Sequence, residues 1–304
     1  MRRIGLLLGF ALASAAPLAA QCNTDCQRAE DAVKAFHPLA GLIVSGGNPV
    51  LGSGGTLGGL GHFFVSARVN AVKVALPSTS STDTTSTSGV VPAPVIEAGL
   101  GIWNGLGNGL LSVDALASAT LLPTTQVSNL SVDSNATKVG SLALGLGYGL
   151  RVGVIKGSFF IPSVSVSVMR RTLPRLQYGT IGAFGNPDSA FSFDTDLKAT
   201  NFRVVAGMHL LLLDVAAGFG YDIYTSNAHI SYYASPIAVA HDTLNLNNKR
   251  EVIFLNAGMN LLLVKVIGEI GYQTGKDQTL STNYQGLDPK AGHVFGGVGV
   301  RISF

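Results

Sequence analysis

From Ser141 to Val154 the chain reads SLALGLGYGLRVGV. Every even position carries a large apolar residue, and every odd one carries glycine, serine, alanine or arginine. A helix would spread Leu142, Leu144, Leu146, Tyr148, Leu150, Val152 and Val154 around its circumference, whereas a strand places them all on one face. The same period of two recurs along most of the chain. Phe63, Val65, Ala67, Val69 and Ala71 alternate with Ser66, Arg68 and Asn70; Val164, Val166 and Val168 alternate with Ser163, Ser165 and Ser167. Val294, Val298, Val300, Ile302 and Phe304 alternate with Gly297, Gly299, Arg301 and Ser303. Leu116 and Phe254 break the rule by falling on the polar face.

These runs predict ten strands, at 62–76, 93–103, 111–122, 139–154, 158–171, 190–211, 213–226, 249–262, 264–275 and 291–304. The stretch 227–248, with HISYY and IAVAH, has room for one more hairpin, which would raise the number to twelve. Connections alternate in length. Long polar ones fall near 77–91, 122–137, 172–189, 227–248 and 276–290, and short ones near 104–110, 155–157, 211–214 and 262–264. That is the order of an up-and-down meander with its long loops at one end. An internal repeat agrees: GMHLLLLDV at Gly207–Val215 returns as GMNLLLVKV at Gly258–Val266, each across a short turn, with a weaker copy starting at Gly149.

Composition decides what the apolar face meets. Hydrophobic residues make up 47% of the 304 and charged residues only 12%, against about 25% charged in an average soluble chain. A soluble sandwich would carry Lys, Glu and Asp freely on its polar face. Here that face is Gly, Ser, Ala, Thr and Asn with single charges, which suits a crowded lumen. Apolar runs after the N-terminus are broken every few residues, well short of the roughly 18 needed for a membrane helix. A transmembrane barrel remains, with Leu and Val facing lipid and every backbone group paired between strands.

The N-terminus reads as an export leader: Arg2 and Arg3, an apolar stretch from Ile4 to Ala16, then small residues, with cleavage expected after Ala20. Of 20 basic residues, two lie in the leader, so 18 face 17 acids in the remainder and no basic patch invites nucleic acid. Cys22 and Cys26 are the only cysteines, and export favours a disulfide between them over a metal site completed by His37. Residues 25–36 read as a short polar helix capped by Thr24 or Asp25. The glycine-rich Gly41–Gly61 stretch leads into the first strand and fits no phosphate-binding motif.

The last segment, GHVFGGVGVRISF, keeps period two to a terminal Phe304. It resembles the closing strand of Gram-negative outer-membrane β-barrel proteins. That resemblance implies residence in the cell outer membrane, contact with its lipid, and recognition of Phe304 by the barrel-assembly machinery. The 41–61 stretch, with its Asn48-Pro49 ahead of the first strand, is similar to the N-terminal hatch of the long-chain fatty-acid and aromatic-hydrocarbon transporters. The expected organisation is a leader at 1–20, a periplasmic or plug-like segment at 21–61 and a barrel at 62–304.

Arg68, Asp114, Arg151, Arg203, Asp222, Glu269 and Arg301 take the lumen-facing parity. Pairing acid with base is the cheapest way to hold charges there. His229, His241 and Asp242 share one long loop with Asp222 near its start, and no serine in a nucleophile setting accompanies them. His209 sits in a strand near a short turn. No catalytic role, cofactor or metal is therefore expected. The reading is a channel or transporter for small, in part hydrophobic, solutes; the alternative is a structural or adhesive barrel whose loops bind outside the cell.

Overall fold

A computed structural model describes residues 22–304 except 108–109, 124–128, 134–136, 140–141, 159, 184 and 187. The expected leader therefore lies outside the described residues. One helix, α1 (Thr24–Ser45), precedes twelve strands. They are β1 (Phe63–Pro77), β2 (Ser86–Trp103), β3 (Val113–Pro123), β4 (Leu130–Val132), β5 (Lys138–Val139), β6 (Leu142–Ile155), β7 (Ser163–Gly179), β8 (Phe191–Leu210), β9 (Leu213–Ser235), β10 (Ala238–Leu261), β11 (Val264–Gln273) and β12 (His293–Ser303).

Ten of these make a closed antiparallel up-and-down barrel; β4 and β5 are short additions at its rim. Each barrel strand pairs with its sequence neighbours, and β12 pairs with β1 in the register Val65↔Ile302, Arg68↔Gly299, Val72↔Phe295. At the seam Phe63 and Phe304 exchange backbone hydrogen bonds of 3.0 and 2.9 Å, and their rings stack at 5.0 Å. Closure leaves no unpaired edge within the lipid, where none could be tolerated.

The outward row of β9 shows how the chain meets its solvents. Leu213, Val215, Ala217, Phe219, Tyr221 and Ile223 are followed by Thr225, Asn227, His229 and Ser231. At about 3.4 Å per residue and a 35–45° tilt, Leu213 to Ile223 spans about 26 Å, the height of an outer-membrane apolar band. Other strands turn polar on the outside at Lys73, Arg170, Lys198 and Glu251, and Tyr221 and Tyr272 sit at this boundary, as interfacial aromatics do.

The strands expected from the sequence are present, with two corrections. The 227–248 stretch adds no barrel strands. It is the paired continuation of β9 and β10, in register from Asn227↔Asn245 to Ala238↔Ser235. Above the lipid its outer face is polar, so the greasy alternation that marks a spanning strand stops while pairing goes on. For the same reason β7 runs to Gly179 and β2 begins at Ser86, inside stretches expected to be loops. The second correction concerns the helix. It is capped by Asn23, whose side chain accepts from the Cys26 N–H, and it runs nine residues past the expected end, through Pro38 to Ser45. A proline in a helix costs about 3 kcal/mol, but α1 is buried around most of its surface, and packing outweighs propensity.

The repeated turns are two-residue links, Leu211-Leu212 and Leu262-Leu263, with Leu211 and Leu262 both at positive φ (54° and 56°). The copy beginning at Gly149 instead runs into a longer turn before β7.

Residues 22–61 lie within the barrel. The extended segment after α1 passes so close to the wall that a Cβ on Gly54 would collide with the Gly207 backbone. Higher up, a Cβ on Gly41 would stand 2.6 Å from the Tyr224 ring. The glycines of this stretch are therefore a matter of clearance. Gly54→Val should lift the segment from β8 and lower stability by about 1–3 kcal/mol, the cost of overpacking. Denaturant unfolding of the folded barrel reads that loss, and Ser53→Ala is the control.

Candidate functional site

The lumen is built in layers, counted from the long-loop end. The uppermost is apolar. On β1 the inward residues Val72, Val74 and Leu76 follow inward Ser66, Arg68 and Asn70. Leu173, Phe191 and Phe193 join them, and Phe36, Leu39 and Ile43 of α1 pack into this core. The Phe36 and Phe193 rings lie 5.8 Å apart. Loops close over the helix from above. Asp31 accepts from the Ser281 and Thr282 N–H groups (3.0 and 2.6 Å), and Arg28 donates to the Ser80 carbonyl (2.7 Å). The Tyr284 hydroxyl donates to the Arg28 carbonyl (3.3 Å); burial and the nearby Asp31 push its pKa well above the ordinary phenol range.

The second layer is ionic and grips the end of α1. Arg171 donates to the Ser45 carbonyl (3.1 Å), Arg203 to those of Gly46 and Gly47 (3.0 Å each), and Arg68 to that of Asn48 (3.0 Å). Four successive carbonyls, from the last helical residue Ser45, at the negative end of the helix dipole, to Asn48 just beyond it, are thus held by three arginines. Glu269 takes the opposite groups, accepting from the N–H of Gly47 (3.2 Å) and of Asn48 (2.8 Å). The charges balance one another: Arg68 pairs with Glu97 (2.8 Å) and Glu269 (3.4 Å), Arg171 with Glu97 (3.5 Å), and Arg203 with Asp222 (2.6 Å). Asp222 also accepts from Asn201 (2.7 Å) and the Tyr224 hydroxyl (2.8 Å). All six side chains are buried.

Below lie Val50, Phe64, Leu116 and Met169, a small apolar cluster. It accounts for Leu116 on the polar face: that residue fills space beside the glycines of β2 and β6. Phe254 acts likewise, its ring lying over Gly218 in the neighbouring strand. The bare inward face of β6 is explained too, since Gly147 and Gly149 make room for Arg171 and Met169 reaching in from β7. At the short-turn end Arg151 forks onto Asp114 (2.9 and 2.7 Å), which also accepts from the Leu57 N–H (3.1 Å). Arg301 donates to the Leu51 carbonyl (2.9 Å) and lies over the Phe64 ring. A cavity of about 700 Å³ opens here, lined in part by His62, Lys156, His209, Asp214 and Lys265.

The seven expected lumen charges therefore fall into three ion pairs, Arg68–Glu269, Asp114–Arg151 and Arg203–Asp222, with Arg301 left to a carbonyl and a ring. Two members of the grip are absent from that list. Glu97 has the right parity in β2, and Arg171 continues the inward series Ser163, Ser165, Ser167, Met169. Following that parity to the end of the run is the signal that finds it.

The loop histidines do not converge. His229 meets Thr243 (3.2 Å) and His241 meets Ser231 (2.9 Å), both exposed on the β9–β10 ribbon. Asp242 accepts from the N–H of its own neighbour Thr243, and Asp222 is buried in the grip. His209 contacts Asp214 (2.7 Å) at the lower cavity. Cys22 and Cys26 are joined in a disulfide beside Glu30, so neither offers a thiolate to a metal. His37 lies against Tyr224, about three turns along the helix.

One side of the outer rim is low. β11 stops at Gln273 and β12 begins at His293, whereas β1 continues to Pro77 and β10 keeps pairing with β9 up to Ala238. The 274–292 segment bends inward over α1 and leaves a cavity of about 360 Å³ in this notch. Its walls combine outer-face residues (Lys73, Ala75, Val294) with lumen-side Val74, the α1 residues Ala35, Pro38 and Leu39, and Arg250. Behind it a void of about 20 Å³ lies among Phe36, Leu39, Ile43, Val74, Leu122 and Leu130.

By fold and lumen this is a transmembrane β-barrel of the outer-membrane class. No protein-family model matches the chain, and no curated protein matches it. Solved structures with similar folds include Neisserial surface protein A, 13% identical over 80% of this chain and 99% of that one, TM-score 0.31. The translocator domain of the autotransporter NalP from Neisseria meningitidis is 13% identical over 81% and 89%, TM-score 0.43. The Pseudomonas putida toluene transporter TodX is 12% identical over 80% and 88%, TM-score 0.28. These are likenesses of fold alone.

Proposed function

We propose that the protein resides in the outer membrane and admits small, largely apolar solutes through the notch between β1 and β12, and that it is not a free-diffusion pore. The notch cavity carries this reading. It reaches from the outer face of the wall at and just above the edge of the lipid band, at Val294 and Ala75, to the apolar helix face at Leu39, and its size falls in the ~300–1,000 Å³ range of small-molecule sites. Lys73 and Arg250 at its walls favour solutes with a polar or anionic end. In this setting Phe304, stacked on Phe63 at the seam, is the residue the assembly machinery reads.

Binding of an apolar fluorescent probe such as 1-anilinonaphthalene-8-sulfonate to the folded barrel in non-ionic detergent tests the proposal. Ala75→Trp, which fills the mouth of the notch, should weaken saturable binding by about tenfold, a change of ~1.4 kcal/mol. Equal affinity in wild type and variant, or no saturable binding, would end it. A second reading rests on the β9–β10 ribbon, which rises roughly 25 Å beyond the lipid band and bears exposed Ile237, His229 and His241. It makes the protein a structural or adhesive barrel, and absence of probe binding favours it.

A further inference from the structure

We propose that this barrel carries its own N-terminal end across the membrane, so that polypeptide joined ahead of Cys22 is delivered to the outer surface. The path of residues 22–62 carries the inference. His62 is at the short-turn end, where its carbonyl accepts from the Gly101 N–H beside the start of β1. Leu57 meets Asp114 at the same level, Ser45–Asn48 are gripped midway, and Asp31 and Arg28 bind the long loops. Asn23 donates to the Tyr233 carbonyl (2.7 Å), two residues from the end of β9, and Thr24 is exposed to solvent. The segment thus runs the full depth of the lumen, and its first described residues stand at the mouth opposite the strand ends Phe63 and Ser303.

In single-chain barrels with an even number of strands the short turns and both strand ends lie in the periplasm. An exported chain also starts there. The N-terminal segment can reach the other mouth only by passing through the lumen. A ten-stranded wall, wider than the eight-stranded barrels that side chains alone fill, gives room for one helix some 10 Å across. The cargo is an unfolded or helical polypeptide, since the wall leaves no space for a folded domain. The three-arginine grip and the Asp31 contacts then hold the segment after passage. The inference rests on the outer-membrane residence proposed in the preceding section and is independent of any solute.

The experiment inserts a short unstructured epitope between Gln21 and Cys22 of the full-length protein in a Gram-negative host. Matched insertions go between Pro236 and Ile237, at the ribbon tip, and between Leu262 and Leu263, in a short turn. Antibody labelling of intact cells should detect the N-terminal epitope as strongly as the ribbon-tip epitope. The short-turn epitope should label only after the outer membrane is permeabilised. An N-terminal epitope that labels only after permeabilisation, in cells whose gel mobility shows a folded barrel, overturns the proposal. Should the insertion block folding, Thr24→Cys in a Cys22→Ser/Cys26→Ser background, probed with a membrane-impermeant maleimide, decides the point: labelling of intact cells supports passage, and its absence refutes it.

Discussion

Arg68→Ala should cost about 3–5 kcal/mol of stability, the usual consequence of removing one partner from a buried ionic group. Arg68 holds three things at once: Glu97, Glu269 and the Asn48 carbonyl. Without it Glu269 keeps Gly47, Asn48 and Asn256 as donors. Glu97 keeps only the longer Arg171 contact (3.5 Å) and Ser66 (3.5 Å). Most of the loss should therefore come from Glu97. The double variant Arg68→Met/Glu97→Gln, which removes a charge of each sign, should recover more than half of it. Guanidinium unfolding followed by the one tryptophan, Trp103, which faces outward at the end of β2, measures both. If the double variant is no better than Arg68→Ala, the penalty belongs to lost contacts with the helix end and not to a stranded carboxylate.

The strands could be read from the chain because one face of each meets lipid for its whole crossing, and a single solvent imposes one parity. Where the outside changes, the signal changes. β1 is apolar at odd positions from Phe63 to Ala71 and at even positions from Val72 to Leu76. Above the lipid its outer face becomes Lys73, while its inner face joins the core around α1. Read without the boundary, that switch looks like the end of a strand. Pro38 likewise hides the length of α1, because the packing that overrides it comes from β8 and β9, far along the chain. Parity assigns these charges to one face of each strand. It could not show which acid meets which base, because the stagger between strands decides that. Nor could it show that four carbonyls at the end of α1 are what three of the arginines hold.

Removing residues 22–59 should turn a silent protein into a conducting one. In the intact protein the apolar layer, the ionic grip and the Val50–Met169 cluster lie one above another, and each includes or surrounds part of the N-terminal segment. The notch and the lower cavity lie on opposite sides of the grip. Wild type in planar bilayers should therefore give no steady steps. Deleting the segment removes a helix about 10 Å across with its side chains, and the hole should give steady, voltage-independent steps and let small sugars equilibrate across liposomes. The wall can survive the loss. Arg203–Asp222 and Asp114–Arg151 pair within the wall itself, and charges freed by the deletion would be hydrated by the water that enters. The upper layer fares worse, since it loses the apolar side chains of α1, Phe36 against Phe193 among them. Should the deletion prevent folding, Asp31→Asn/Glu269→Gln asks the same question. It loosens both the loop contact and the grip, and intermittent openings should follow. A folded deletion variant that stays silent would mean that the wall, not the N-terminal segment, keeps this barrel shut.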